Sequence, residues 1–232
     1  MATKGPLDGI KVLDLSWILS GPFATMTLSD LGATVVKVER PPYGDLGRTT
    51  RPIIDGESGY FFSVNRGKKS ISIDLKTTEG KKIFLDLVKE FDVIVENFTP
   101  GVMDKIGLSY EEISSVNDKI IYAAISGYGQ TGPWKDRPAL DVIAQGSGGI
   151  LSVTGVDGGP PIRPGTSLGD IGGGIYCVIG VLSAVIERNR SGKGQYIDIS
   201  MMDCQIAIQE NAFMRWHLTN EEPKKLGTRH PT

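Results

Sequence analysis

The sequence predicts an α/β fold: a doubly wound, mostly parallel Rossmann-like sheet with helices on both faces. Three observations carry that expectation. Short runs of β-branched and apolar residues recur along the chain, segments of helical period separate them, and a glycine stands at the first strand-to-helix turn. Strands reached only through helices must pair in parallel, and a parallel sheet is covered on both faces.

The elements follow in order. Residues 11–16, KVLDLS, form a short strand-type run; after Ser20, Gly21 and Pro22, the segment FATMTLSDLG gathers Phe23, Met26, Leu28 and Leu31 on one helix face. ATVVKVE, residues 33–39, is β-branched and closes a strand, helix, strand unit. The pattern repeats with KSISIDL at 69–75, the helical TEGKKIFLDLVKEF at 78–91 and DVIVENF at 92–98. A helical SYEEISSVN at 109–117 then leads into KIIYAAIS at 119–126, another buried strand. From Gly127 to Gly174 the chain is rich in Gly and Pro, with GYGQTGP, GSGGI, GVDGGPP and GDIGGG, which predicts a set of tight turns through most of it. Beyond it, Ile175 to Arg188 predicts a helix, and Asp170 in front of that segment predicts its N-cap.

The ending EEPKKLGTRHPT is polar, contains proline and offers no element to close a fold. The expected division is one large unit over residues 1–215, with 216–232 opening a linker to a second domain absent from this chain.

Composition narrows the partners. With 232 residues, 40% of them hydrophobic, the chain can bury a substantial core. A formal charge of -2 and the lack of a long basic run give no electrostatic case for nucleic acid, so a small partner is expected. Cys177 and Cys204 have no CxxC spacing and read as buried free thiols in a reducing compartment. The N-terminus, MATKGPLDGIKVLDLS, has no basic segment followed by an apolar core, which argues against a secretory signal. The run from Ile175 to Ile186, interrupted by Gly180 and Ser183, is too short to span a bilayer. A soluble, cytoplasmic protein with no membrane partner is expected.

Metal chemistry finds no support, because His217 and His230 are the only histidines and neither has a second ligand at helical spacing. GxSxG and the Walker A pattern are absent, and GDIGGG lacks the spacing of the dinucleotide fingerprint. Sheets of this class bind ligands beyond the carboxyl ends of their strands. That directs attention to the loops at Leu15 to Pro22, Glu39 to Asp45, Asn97 to Gly101 and Gly127 to Leu140. Asp170 is a lone carboxylate among glycines. A cap is the commoner role for such a residue, and it is compatible with a catalytic one, since glycines let backbone N–H groups approach an acyl oxygen.

Six segments in order, GIKVLDLSWILSGPFATMTLSDLGATVVKVERP, NRGKKSISIDLKTTEGKKIF, DVIVENFTPGVMDKIGL, ISGYGQTGPW, SLGDIGGG and RSGKGQYIDISMMD, give the chain a resemblance to the family III CoA-transferases over nearly its full length. That group includes formyl-CoA and carnitine CoA-transferases and the related α-methylacyl-CoA racemases. The match is to the larger, N-terminal domain.

The resemblance implies that Asp170, the aspartate of the LGD element, is the nucleophile. Its carboxylate would attack an acyl-CoA to form a mixed anhydride and then an aspartyl-CoA thioester, passing CoA to an acceptor acid without ATP. It implies coenzyme A contacts at Ile18, Leu19, Ser20, Arg40, Ile73, Lys76, Asn97, Phe98 and Lys105. Asp141, Gly172 and Gly173 are implied to position substrate. It also implies acyl-CoA and a carboxylic acid as substrates, no metal, and an intertwined homodimer, with a heteromer of unlike chains as the alternative assembly.

Three departures refine this. Leu19 stands where formyl-CoA transferase has a glutamine, which argues against an oxalate or formate substrate and, with Trp17 and Ile18, points to an acyl group less polar than formate. Lys105 replaces an arginine, keeping charge and losing bidentate geometry. Leu140 replaces the racemases' histidine, so a racemase would lack its second base. The alternatives to a transferase are a racemase-like enzyme and a non-catalytic CoA-binding subunit.

Overall fold

A computed structural model of the protein describes residues 5–209 and 211–230. Residues 1–4, on which the reading of the N-terminus partly rests, and residues 231–232 of the expected linker lie outside the described residues.

The elements run β1 (Lys11–Asp14), α1 (Ser20–Asp30), β2 (Thr34–Glu39), β3 (Ile53–Ile54), β4 (Glu57–Ser58), α2 (Gly59–Asn65), β5 (Lys69–Ser72), α3 (Thr78–Val88) and β6 (Val93–Glu96). They continue with α4 (Val102–Lys105), α5 (Tyr110–Val116), β7 (Ile121–Ser126), α6 (Asp141–Ser147), α7 (Ile150–Val153), α8 (Leu168–Ser191), β8 (Gln195–Ser200), α9 (Met201–Ala207) and α10 (Ala212–Thr219). Six strands pair in parallel in the order β5-β2-β1-β6-β7-β8, and β3 with β4 makes a separate antiparallel hairpin. Without the hairpin this is the doubly wound order, which reverses direction between β1 and β6.

Alternation along the strands divides the core into two layers. Val12, Val35, Val93, Val95, Ile121 and Ala123 pack against Leu28 of α1 and Cys177, Val178 and Val181 of α8. Leu13, Ile94, Tyr122 and Ala124 face the other way, onto Phe84 and Val88 of α3 and Ile113 of α5. Both cysteines are buried free thiols.

The glycine-rich segment departs from expectation. It contains α6 and α7, and α8 begins at Leu168 rather than near Ile175, so Asp170 is a first-turn residue and not the N-cap. The run Gly172-Gly173-Gly174 lies within the helix because its neighbours leave no room for side chains. A Cβ at Gly172 would come within 2.9 Å of Gln205 Nε2, and one at Gly174 within 2.8 Å of the Ser20 carbonyl oxygen. These residues, which break helices in isolation, here let α8 sit tightly on α1 and α9. At 24 residues, α8 is long and apolar enough by length and composition alone to cross a membrane, which the shorter apolar run did not suggest. In this fold Cys177, Val178, Val181 and Ala184 turn into the core instead. The strand β8 and the helices α2, α9 and α10 were not anticipated, and α10 crosses the expected boundary at residue 215.

Candidate functional site

The crevice between the ends of β1 and β6 is built first by a turn. Leaving β1, the chain forms residues 16–19 and enters α1 at Ser20. Asn97, immediately after β6, clamps that turn from across the crevice: its Oδ1 accepts from Trp17 N at 2.8 Å, and its Nδ2 donates to Trp17 O at 2.8 Å and Ser20 Oγ at 3.0 Å. At the centre Ile18 has φ +67°, left-handed backbone that a β-branched residue adopts only when its surroundings impose it. The imposing contact is a 3.0 Å hydrogen bond from Ile18 N to Asp45 Oδ1.

Beneath the turn lies a buried set of ions. Asp14 Oδ2 accepts from Thr25 Oγ1 at 2.7 Å and Lys68 Nζ at 2.9 Å, while Asp14 Oδ1 accepts from both the N–H and the hydroxyl of Ser16. Lys37, a strand residue with a 2% exposed side chain, donates to Ser16 O at 2.5 Å and lies 2.9 Å from Asp45 Oδ2, an ion pair off the hydrogen-bond axis. Burial pushes the Asp14 carboxyl up, but the Lys37 and Lys68 ammonium groups and the Ser16 hydrogen bond outweigh it and hold the group well below the ordinary carboxylate range. Glu39 is treated alike. Burial raises it, and the fork of Arg48 at 2.7 Å, Ser70 and the Asp45 N–H bring it down to about 2.

Asp170 has the opposite environment. The N-terminus of α8 is capped from elsewhere: Asp141, the first residue of α6, accepts on Oδ1 from Gly169 N at 2.9 Å and Asp170 N at 3.3 Å. Its Oδ2 receives Gln145 Nε2 at 2.8 Å and Arg163 Nη2 at 3.2 Å. With that work done by Asp141, no hydrogen bond among the described residues reaches the Asp170 carboxyl. Burial pushes it up to about 7, the Asp141 carboxylate adds to the rise, and Arg163 opposes it.

Asp170 is one helical turn before Gly174, whose backbone abuts Ser20, so its side of α8 is the side toward the 17–20 turn. Tyr60 of α2 ties the same region together. Burial raises its phenol to about 12, and the carboxylates of Asp170, Asp45 and Asp141 all add to the shift.

The expected coenzyme contacts fall into two groups. Ile18, Leu19, Ser20, Arg40, Asn97 and Phe98 converge, with the Arg40 guanidinium 4.6 Å from the centre of the Trp17 ring and Phe98 edge-on to that ring at 5.6 Å. Ile73 is a buried core residue at the end of β5, its N–H bonded to Glu39 O beside Arg40. Lys76 and Lys105 are exposed. Gly172 and Gly173 are buried against α9 and β7, and Leu140 is exposed. Sequence reasoning did not find Lys37, Asp45, Tyr60 or Lys68. A lysine inside TVVKVE is the one local signal among them, because a fully buried parallel strand has no solvated face for it.

The chain matches the family described as CoA-transferase family III over residues 7–232. It is 48% identical to an acetyl-CoA:oxalate CoA-transferase of Acetobacter aceti, over 98% of this chain and 59% of that protein. It is 43% identical to the human succinyl-CoA:glutarate CoA-transferase, over 97% of this chain and 52% of the relative. A crystal structure of a CAIB/BAIF family protein from Brucella suis superposes with a TM-score of 0.94 at 43% identity, covering 99% of this chain and 62% of that one. The chain thus spans about half to three-fifths of the length of these relatives.

Proposed function

The chain belongs to CoA-transferase family III, and from that premise we propose that it moves coenzyme A from an acyl-CoA thioester to a free carboxylic acid through Asp170. The observation that supports this best is the state of that carboxyl. It is partly desolvated, unbonded, and set beside the crevice while Asp141 caps its helix. A desolvated carboxylate is a stronger base and nucleophile than a hydrated one.

In this reading an Asp170 oxygen attacks the thioester carbonyl and the C–S bond breaks, giving a mixed anhydride and CoA thiolate. The thiolate attacks the aspartyl carbonyl and releases the donor acid, leaving Asp170 as a CoA thioester. An acceptor carboxylate displaces CoA from it to form a second anhydride, and thiolate attack on the acceptor's acyl carbon yields the new acyl-CoA and restores Asp170. Each step exchanges one acyl bond for another, so the activation of the donor thioester is conserved.

Trp17, Phe98 and Arg40 offer a planar and cationic surface for the coenzyme's adenine and phosphates, with Lys76 and Lys105 as further exposed cations at the same edge. Both curated relatives pair a short acyl-CoA with a dicarboxylate in their names. We infer a short acyl donor and a dicarboxylic acceptor here. Leu19 favours a donor less polar than formyl, and the name of the Acetobacter relative keeps oxalate among the acceptors to be tried.

The test is peptide mass spectrometry of the full-length protein incubated with acyl-CoAs and quenched with hydroxylamine. A hydroxamate on Asp170, together with a loss of turnover of about 10⁴-fold or more in Asp170→Ala, is expected. Undiminished exchange in Asp170→Ala would sink the mechanism, and solvent deuterium entering the α-carbon without CoA exchange would move the assignment to a racemase.

A further inference from the structure

We propose that Asp45 is a positioning residue for this reaction: through its bond to Ile18 N it locks the 17–20 turn in the strained conformation that faces Asp170. The proposal rests on the reading of Asp170 as the nucleophile.

The turn is pinned by polar contacts from four side chains, three of them distant in sequence. Asn97 takes Trp17 N and O, Asp14 takes Ser16 N, Lys37 takes Ser16 O, and Asp45 takes Ile18 N. Three of those act where the backbone is ordinary. Only the Asp45 contact acts on a residue whose conformation is unfavourable in itself, the left-handed Ile18.

Asp45 is equipped for that work. It is 1% exposed, its Oδ1 accepts from Gly47 N at 2.8 Å as well as from Ile18 N at 3.0 Å, and Lys37 Nζ faces its Oδ2 at 2.9 Å. Its own N–H is held by Glu39 Oε2 at 3.0 Å. The carboxylate therefore cannot rotate away without breaking an ion pair and two hydrogen bonds in a dry site, which makes it a rigid brace.

The braced residue is in the right place to matter. Ile18 is 37% exposed although its backbone is anchored to a buried group, so its side chain is presented at the crevice. Ser20, two residues on, abuts Gly174 one turn below Asp170, and Tyr60 feels Asp45 and Asp170 together. Relaxing Ile18 to an ordinary conformation would swing the turn relative to the carboxyl. A misplacement of about 1 Å at a reacting centre costs on the order of 10²-fold in rate.

A double-mutant cycle in the full-length protein tests the brace. Asp45→Ala is expected to lower kcat about 10- to 100-fold, with KM for acyl-CoA changed less than about threefold because Arg40 and Phe98 lie outside the turn and Trp17 stays held on both its N–H and its carbonyl by Asn97. Glycine adopts the left-handed conformation without strain, so in the I18G background the same D45A change should cost less than about threefold. Asp45→Asn can still offer one oxygen to Ile18 N but sets an NH2 group against Lys37 Nζ, so its loss in kcat should be smaller than that of D45A. Equal losses from D45A in both backgrounds would mean general destabilisation and would overturn the proposal. Amide exchange gives a readout free of activity: the Ile18 N–H should be protected in wild type and exposed in D45A, and an unprotected wild-type amide would equally overturn it. If turnover persists but no hydroxamate forms on Asp170, the nucleophile reading fails alone, while the cycle on turnover still decides the role of Asp45.

Discussion

The two halves of the sheet bury carboxyl groups at the same edge by opposite means. On the β1, β2 and β5 side, Asp14 and Glu39 are matched with cations, from Lys37, Lys68 or Arg48, that hold them ionised, and Asp45 pairs with Lys37. On the β6, β7 and β8 side, Glu96 sits under Tyr122 and Tyr196, and the charged groups acting on it, Asp104 and Asp198, share its sign. Burial lifts Glu96 to about 8 against the pull of its hydrogen bond from Phe98 N at 2.6 Å, so at neutral pH it is mostly the uncharged acid. Pairing makes a rigid ionic floor, and the turn that faces the proposed nucleophile is fastened to it. Protonation makes a neutral wall, and on that side the 17–20 turn is held by the uncharged amide of Asn97 rather than by a buried ion. Asp170 lies between these extremes, buried enough to be basic and near enough to Arg163 to ionise around pH 7.

The comparison breaks most visibly at Lys37. Lys37→Met leaves Asp45 without its cation and Asp14 with Lys68 alone, and removing one partner of a buried pair costs about 3–5 kcal/mol. Asp14 has a folded-state value below its unfolded one, so its contribution is present above about pH 4 and fades as acid protonates it. Urea melts should therefore show the variant most destabilised at pH 7, the gap beginning to narrow only below about pH 4 and still open at pH 3. A pH-independent deficit would mean the lysine acts through packing alone.

Glu96 predicts the reverse sign. Its folded-state value of about 8 lies above the unfolded one, so wild type loses stability as pH rises through the interval from the ordinary carboxyl value of 4.5 to about 8 and levels off beyond. Glu96→Gln carries no such proton. It should match wild type near pH 4 and become more stable by about 4 kcal/mol at pH 8, the amide oxygen still accepting from Phe98 N. A variant that is destabilised at every pH would show that Glu96 is ionised and paired like its counterparts across the sheet.

The same contrast explains what could be read before the structure. Five of the six parallel strands were legible, most clearly where β-branched runs are buried on both faces, as in TVVKVE and IYAAIS, and β8 was missed because QYIDIS alternates as a half-buried strand does. Helices through glycine were illegible in principle. Gly172 to Gly174 are tolerated only because Gln205, Met201 and Ser20 press against them, a tertiary cause with no local trace. Asp170 stood out as a carboxylate in a glycine run, but its cap lies 29 residues upstream at Asp141, a distance at which spacing carries no information. The ionic floor was hidden for the same reason: Asp14, Lys37, Asp45 and Lys68 are ordinary charges in sequence, and only the parallel pairing of β1 with β2 stacks them.

The smallest expected effect is also the one that separates the two causes acting on Asp170. Asp141→Asn keeps an Oδ1 acceptor for Gly169 N and Asp170 N, so the cap of α8 survives, yet it removes the like charge and frees Arg163 from its 3.2 Å ion partner. Both changes favour the ionised form of Asp170. Attack requires that form, so kcat/KM in wild type should rise with pH to a plateau with its midpoint near 7. In Asp141→Asn the midpoint should fall by about one pH unit, with the plateau lowered because a less basic carboxylate is a poorer nucleophile. A midpoint that does not move would assign the shift to burial alone and place Asp170 with Glu96, on the neutral side of the comparison.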